Sequence, residues 1–102
     1  MSLNAYIWAG SLPIGVCSGA AFRVLLKYAD RVDEHGRPAW YTAAQLADEL
    51  ECSERTIRRA ISELVEIGLM SRGDQRIVSH IRGNYRPIVY DLETPAKQMQ
   101  DY

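Results

Sequence analysis

Two helix-start signals frame the stretch from Tyr41 to Leu69 and restrict how it can pack. Thr42-Ala43-Ala44-Gln45 matches a capping box, in which the threonine hydroxyl and the glutamine amide close a helix start reciprocally. The helix it opens, about residues 43–50, carries Leu46, Ala47 and Leu50 on its buried side. Ser53 caps the next helix, whose apolar face is Ile57, Ala60, Ile61 and Leu64. Gly68 then stands where a left-handed residue ends a helix. Leu46, Leu50, Cys52, Ile57 and Ile61 are apolar at offsets that let two short helices cross steeply and share a core, with the small Ala47 at their closest approach. The turn between them has Glu51 where glycine is favoured. A left-handed conformation there costs on the order of 1 kcal/mol, which a packed domain tolerates.

The flanking residues extend this unit. Ser18 is an N-cap for a helix running to about Arg31, with Phe22, Leu25, Leu26, Ala29 and Val32 as its buried stripe. Residues 33–38 are polar and end in Gly and Pro, which reads as a loop, and Ala39-Trp40-Tyr41 is a short β-prone run expected to anchor a small sheet on the helices. After Gly68 the pattern becomes β. Leu69-Met70 begins a strand, Gly73-Asp74 interrupts it, and Arg76 to Arg82 resumes it with Ile77, Val78 and Ile81. Gly83-Asn84 is a turn pair, and Arg86 to Leu92 returns as the second arm with Pro87 near its start. The resulting order is helix, short strand, helix, tight turn, helix, hairpin.

The stretch LADELECSERTIRRAISELVEIGL, residues 46–69, resembles the winged helix-turn-helix domains of bacterial and phage regulators and replication proteins. Together with GDQRIVSHIRGNYRPIVYDL it is similar to small helix-turn-helix proteins common in actinobacteria and their phages and plasmids, over roughly residues 18–92. The resemblance implies a mainly α fold with a small antiparallel sheet: a winged helix-turn-helix, with a three-helix core plus a β-hairpin wing. On this reading residues 1–17 are an apolar N-terminal arm, 18–92 the winged helix-turn-helix domain and 93–102 a polar C-terminal tail. It also implies a sequence-specific double-stranded DNA-binding protein, a transcription regulator of bacterial, phage or plasmid origin.

Charge tests that implication. The chain carries net charge −1, which does not suit a uniformly basic DNA binder. The distribution is polarised, however: residues 1–54 sum to −3, residues 55–86 to +4 and residues 87–102 to −2. All the positive charge of the central third is arginine, so one face can meet phosphates although the total is slightly acidic.

At about 100° per residue, the helix over residues 54–67 turns Arg55, Arg59, Ser62 and Glu66 away from its apolar side, flanked by Thr56, Arg58 and Glu63. The N-terminal half of a recognition helix reaches base edges, which selects Arg55 and Arg59, with Thr56 or Arg58, as base contacts. Arginine to guanine O6 and N7 is the commonest specific pairing. Ser53, at the helix N-terminus, is placed to help bind a phosphate. In the wing, Arg82 and Arg86 flank the Gly83-Asn84 turn and are the DNA-contact candidates, with Arg72 and Arg76 also in the hairpin. The competing reading of the hairpin arginines is protection of a sheet edge from aggregation.

No phosphate-binding glycine loop, nucleophile elbow or metal-ligand spacing occurs, so no enzyme, cofactor or metal is expected. His35 reads as a loop residue, His80 as a strand residue without a partner, and Asp33-Glu34 as a solvated pair. Cys17 and Cys52 read as reduced, buried small residues, and the broken apolar start as neither signal peptide nor span, which points to the cytoplasm. Tyr6, Ile7, Trp8, Leu12, Ile14 and Val16 are too apolar for a free tail and point to packing plus homodimerisation through the arm. Two alternatives stay open: a DNA-binding module of a phage or plasmid replication or excision system, or a winged helix used for protein–protein interaction.

Overall fold

A computed structural model describes residues 3–32, 39–83 and 86–95. Helix α2, Gly19–Arg31, begins at the expected cap, where the Ser18 side chain accepts from the Ala21 N–H. Its buried stripe is Ala21, Val24, Leu25, Tyr28, Ala29 and Val32, an i, i+3, i+4 succession. Phe22 and Leu26, expected in that stripe, are only half-buried. Tyr28 takes the central place because its ring stacks edge-on against Tyr41 at 5.3 Å and Tyr90 at 6.0 Å, contacts that α2's own periodicity does not reveal.

Strand β1, Ala39–Tyr41, leads into α3, Ala43–Leu50. Both halves of the capping box form: Gln45 N–H donates to Thr42 Oγ1 at 3.0 Å, and Thr42 N–H donates to Gln45 Oε1 at 2.8 Å. Helix α3 ends at Glu51, which adopts the left-handed conformation (φ 54°, ψ 51°), and the Cys52 N–H then closes on the Ala47 carbonyl at 3.0 Å. Helix α4, Glu54–Glu66, is capped by Ser53 and followed by Gly68 at φ 83°. Leu46, Ile57 and Leu64 are fully buried where α2, α3 and α4 meet, while Leu50 and Ile61 are half-buried at the margin.

The wing follows, with one correction. Strand β2, Met70–Arg72, pairs antiparallel with β3, Ile88–Leu92, and β1 pairs with the other side of β3, giving the sheet order β1-β3-β2. The expected strand over Arg76 to Arg82 is absent. Gln75–Val78 is instead a 3₁₀ turn, capped by Asp74 accepting from the Arg76 N–H at 3.0 Å. The reason lies in the Gln75 side chain. Its Nε2 donates to the Val89 carbonyl at 2.9 Å and to the Gly73 carbonyl at 2.8 Å, and its Oε1 accepts from the Val89 N–H at 3.0 Å. A side-chain amide thus supplies the partner that another strand residue would offer Val89, and the main chain is free to coil so that Val78 enters the core. Strand β3 accordingly starts at Ile88 rather than Arg86, with Pro87 buried just ahead of it.

The N-terminal segment also differs from a plain arm. Leu3–Ser11 is a helix, α1, whose Ala5 and Ala9 are buried one turn apart against α2. Two alanines let the backbones approach closely, and desolvation followed by the nearby Asp30 carboxylate of α2 raises the Tyr6 pKa. The expected loop 33–38, with Asp33, Glu34 and His35, lies outside the described residues, as do Asn84 of the turn pair and residues 96–102 of the tail.

Candidate nucleic-acid interface

The surface of α4 is built from its buried side outwards. Ile57, Ala60 and Leu64 face the core, which turns Arg55, Arg59, Ser62 and Glu66 to solvent. Arg55, Arg58, Arg59, Ser62, Glu63 and Glu66 line a shallow open depression along the helix. The six charged residues of α4 are unevenly distributed: three arginines occupy its N-terminal half, and Glu63 and Glu66 its C-terminal half, with Glu54 at the first position.

The three arginines are not equivalent. Arg58 Nη2 donates to Glu54 Oε1 at 3.1 Å, one turn back along the helix. Arg55 and Arg59 are exposed and make neither an ion pair nor a hydrogen bond among the described residues. Ser53 Oγ accepts from the Thr56 N–H at 3.1 Å and lies 3.0 Å from Thr56 Oγ1, so both hydroxyls gather at the helix start. The remaining N–H groups of a first helical turn have no intrahelical partner and carry the positive end of the helix dipole.

Glu63 has turned inward. Its Oε2 accepts from the Ser18 N–H at 2.6 Å, so the C-terminal half of α4 caps the start of α2. Cys17 beside it is half-buried, and desolvation followed by the Glu63 carboxylate pushes its thiol pKa up. Cys52 is exposed in the α3–α4 turn rather than buried as expected, because the left-handed Glu51 swings the chain outward there. Both cysteines are free thiols.

The wing arginines divide as sharply. Arg82 is exposed beyond the 3₁₀ turn. Arg86 spends its guanidinium on the wing itself, with Nε donating to the Ile81 carbonyl at 3.0 Å and Nη2 to the Ser79 carbonyl at 2.9 Å. Arg76 is held by Asp74 through Nε and Nη2, the latter at 2.8 Å, and these hydrogen bonds lower the Asp74 carboxyl pKa below its ordinary value. Arg72 is exposed at the end of β2. His80 is exposed in the turn after Val78 and not in a strand.

Tyr41 and Trp40 anchor the sheet from the other side. The Tyr41 hydroxyl donates to the Lys27 carbonyl at 3.1 Å, and the Arg31 guanidinium lies 4.3 Å from the Tyr41 ring centre. Three roles escaped the sequence reading: Glu54 as the partner of Arg58, Glu63 as a tether, and Gln75 as a strand mimic. The first had a signal, since Glu and Arg four apart on a helix pair predictably. The other two span distances in the chain that no local pattern encodes.

Among the described residues no group of three His, Cys, Asp or Glu is placed to hold a metal ion, and no helix is long and apolar enough to cross a membrane. The family described as "Helix-turn-helix domain" matches residues 18–70, from the cap of α2 to the first residue of β2. No curated protein matches the chain.

Proposed function

The chain belongs to the helix-turn-helix domain family, and from that premise we propose that it is a sequence-specific double-stranded DNA-binding protein that regulates transcription. Family membership supports DNA binding in general; sequence preference and regulation are our reading. The observation that carries it is the free, outward-facing pair Arg55 and Arg59 beside the hydroxyls of Ser53 and Thr56, at the end of α4 that would enter a major groove. Arg55, Arg59 and Thr56 are assigned to base edges, with Ser62 beside them, Ser53 and the first-turn N–H groups to a phosphate, and Arg82 to the neighbouring backbone. Arg58 reaches DNA only by leaving Glu54, and Arg86 only by leaving its carbonyls.

Residues 18–92 form the binding unit in this proposal, with residues 1–17 and 93–102 as arm and tail. The protein acts in the cytoplasm by occupying DNA rather than by chemistry. A replication or excision role in a phage or plasmid uses the same contacts.

The arm provides a homodimer contact. Leu3 and Ile7 are 66% and 60% exposed one turn apart on α1, and Ile14 beyond it is fully exposed. Residues 3–22 carry no charged side chain, so a contact between two copies through Leu3, Ile7 and Ile14 buries no charge from this segment. Replacing Leu3 and Ile7 by Glu should shift the sedimenting species to monomer; an unchanged sedimentation coefficient would remove the dimer.

The test of DNA binding is selection from a random duplex pool, followed by titration of the recovered sequence at several salt concentrations. Arg55→Ala with Arg59→Ala should abolish the preference, at about 1–3 kcal/mol per lost base contact, with little change in the salt slope. Unchanged affinity and preference in that double variant would refute the assignment. The net charge of −1 and the outward Glu66 favour a second reading, an acidic-rimmed winged helix that binds protein. An empty selection, with partner binding insensitive to salt, is its signature.

A further inference from the structure

We propose that Glu54 is a specificity-determining residue, restraining Arg58 so that DNA of arbitrary sequence is bound poorly; this deepens the DNA-binding reading and rests on it. Glu54 and Arg58 occupy one flank of α4, about 40° apart around its axis, whereas Arg55 and Arg59 stand on the outward face. The pair is half-exposed, with side chains 49% and 67% accessible, so it opens readily when a stronger partner arrives. Arg55 and Arg59 have no such partner among the described residues. The helix therefore meets DNA with two free cations and one held in reserve.

What the reserve does depends on the sequence it meets. To reach a phosphate, Arg58 must leave Glu54, and the uncovered carboxylate then stands beside phosphates. On any duplex this is unfavourable. The carboxylate recovers a partner only where a base edge in the major groove presents an exocyclic amino group, cytosine N4 or adenine N6. The penalty is general and the relief is sequence-dependent, which is how a repulsive element produces discrimination. Glu54 lies at the first position of α4, where its carboxylate also favours the helix dipole, so it is accommodated at no cost to the fold.

The experiment compares the wild-type chain with Glu54→Gln, Arg58→Ala and the double variant. Each is titrated by fluorescence anisotropy against a duplex recovered from the random pool and against an unrelated duplex of equal length, over a salt series. Glu54→Gln keeps the side-chain shape and removes the charge. Binding to the unrelated duplex should tighten about fivefold at about 0.15 M salt, with a salt slope steeper by about 0.9, the effect of one more net ion pair. The recovered duplex should gain less, so the ratio of the two affinities falls. In the Arg58→Ala background the gain should be smaller than in the wild type, because only the carboxylate's own repulsion of the phosphates is then relieved and no arginine is released. Thermal melting of each variant identifies any that is unfolded. The proposal is overturned if Glu54→Gln leaves both affinities and slopes unchanged, if both duplexes gain equally, or if the gain is as large in the Arg58→Ala background as in the wild type. A wild-type chain that binds no duplex at all would take down the DNA-binding reading itself, and this inference with it.

Discussion

Replacing Gln75 by alanine tests whether one side-chain amide holds the wing in shape. The substitution removes three hydrogen bonds, two donated to the Gly73 and Val89 carbonyls and one accepted from the Val89 N–H. The Val89 carbonyl keeps a partner, because the Gly73 N–H also donates to it at 2.9 Å. The Val89 N–H keeps none on that side, and Val89 is fully buried. A net hydrogen bond contributes about 1 kcal/mol, and a buried donor left without a partner costs about 1–3 kcal/mol. Solvent reaching the half-buried Gly73 carbonyl offsets part of the loss, so the expected destabilisation is about 2–3 kcal/mol. For a domain of this size that lowers Tm by about 8–20 °C. Urea titration followed by circular dichroism reads the free energy directly, with an unchanged m value showing that only stability moved. Gln75→Glu is the control: a carboxylate can accept from the Val89 N–H but would oppose two carbonyls, so it should be at least as damaging as alanine. A loss below about 0.5 kcal/mol in Gln75→Ala would mean that the 3₁₀ turn is held by Val78 packing alone.

Two further perturbations address the core and the turn. The Tyr28 hydroxyl is fully buried and has no hydrogen-bond partner among the described residues, so Tyr28→Phe should be neutral or stabilising by up to about 1 kcal/mol, as read by urea denaturation, where a loss above that value would reveal a partner. Burial first, then the neighbouring Tyr90 and Tyr41, raises the Tyr28 pKa; its contribution to stability is therefore complete below the ordinary tyrosine value of 10.0 and is lost as pH rises above it. Melting curves taken through that alkaline range should fall less steeply for Tyr28→Phe than for the wild type, and parallel curves would contradict the assignment. Glu51→Gly removes the penalty of a left-handed non-glycine residue and should stabilise by about 1 kcal/mol less the entropy glycine adds to the unfolded chain, which a Tm shift measures; destabilisation would show that the Glu51 side chain itself contributes.

The helix-turn-helix was legible almost residue by residue, whereas the wing was legible only in outline. Thr42 with Gln45, and Ser53 with Thr56, are contacts three residues apart, so the same local sequence that creates the helix start also satisfies it. Gly68 and Glu51 mark helix ends for a similarly local reason, since a left-handed residue closes the preceding turn wherever it occurs. After Gly73 the β-branched residues Ile77, Val78 and Ile81 suit a strand by residue type alone. The segment coils because Gln75 finds Val89, fourteen residues away, and nothing near Gln75 in the chain announces that partner.

The candidate interface divides along the same line. The helical period places Arg55, Arg59 and Ser62 on the outward face, and the structure has them there. It does not rank the arginines. Arg58 is committed to Glu54, Arg76 to Asp74, and Arg86 to the carbonyls of Ser79 and Ile81, which leaves Arg55, Arg59, Arg72 and Arg82 with free guanidinium groups among the described residues. For the N-terminal segment, composition predicted that it could not be a free tail. Only the packing of Ala5 and Ala9 on α2 shows which of its faces is spent within the chain and which, with Leu3 and Ile7, stays exposed. Capping and periodicity are short-range and survive in the sequence as patterns; which donor meets which acceptor across the fold depends on where distant segments come to rest, and tertiary packing alone decides that.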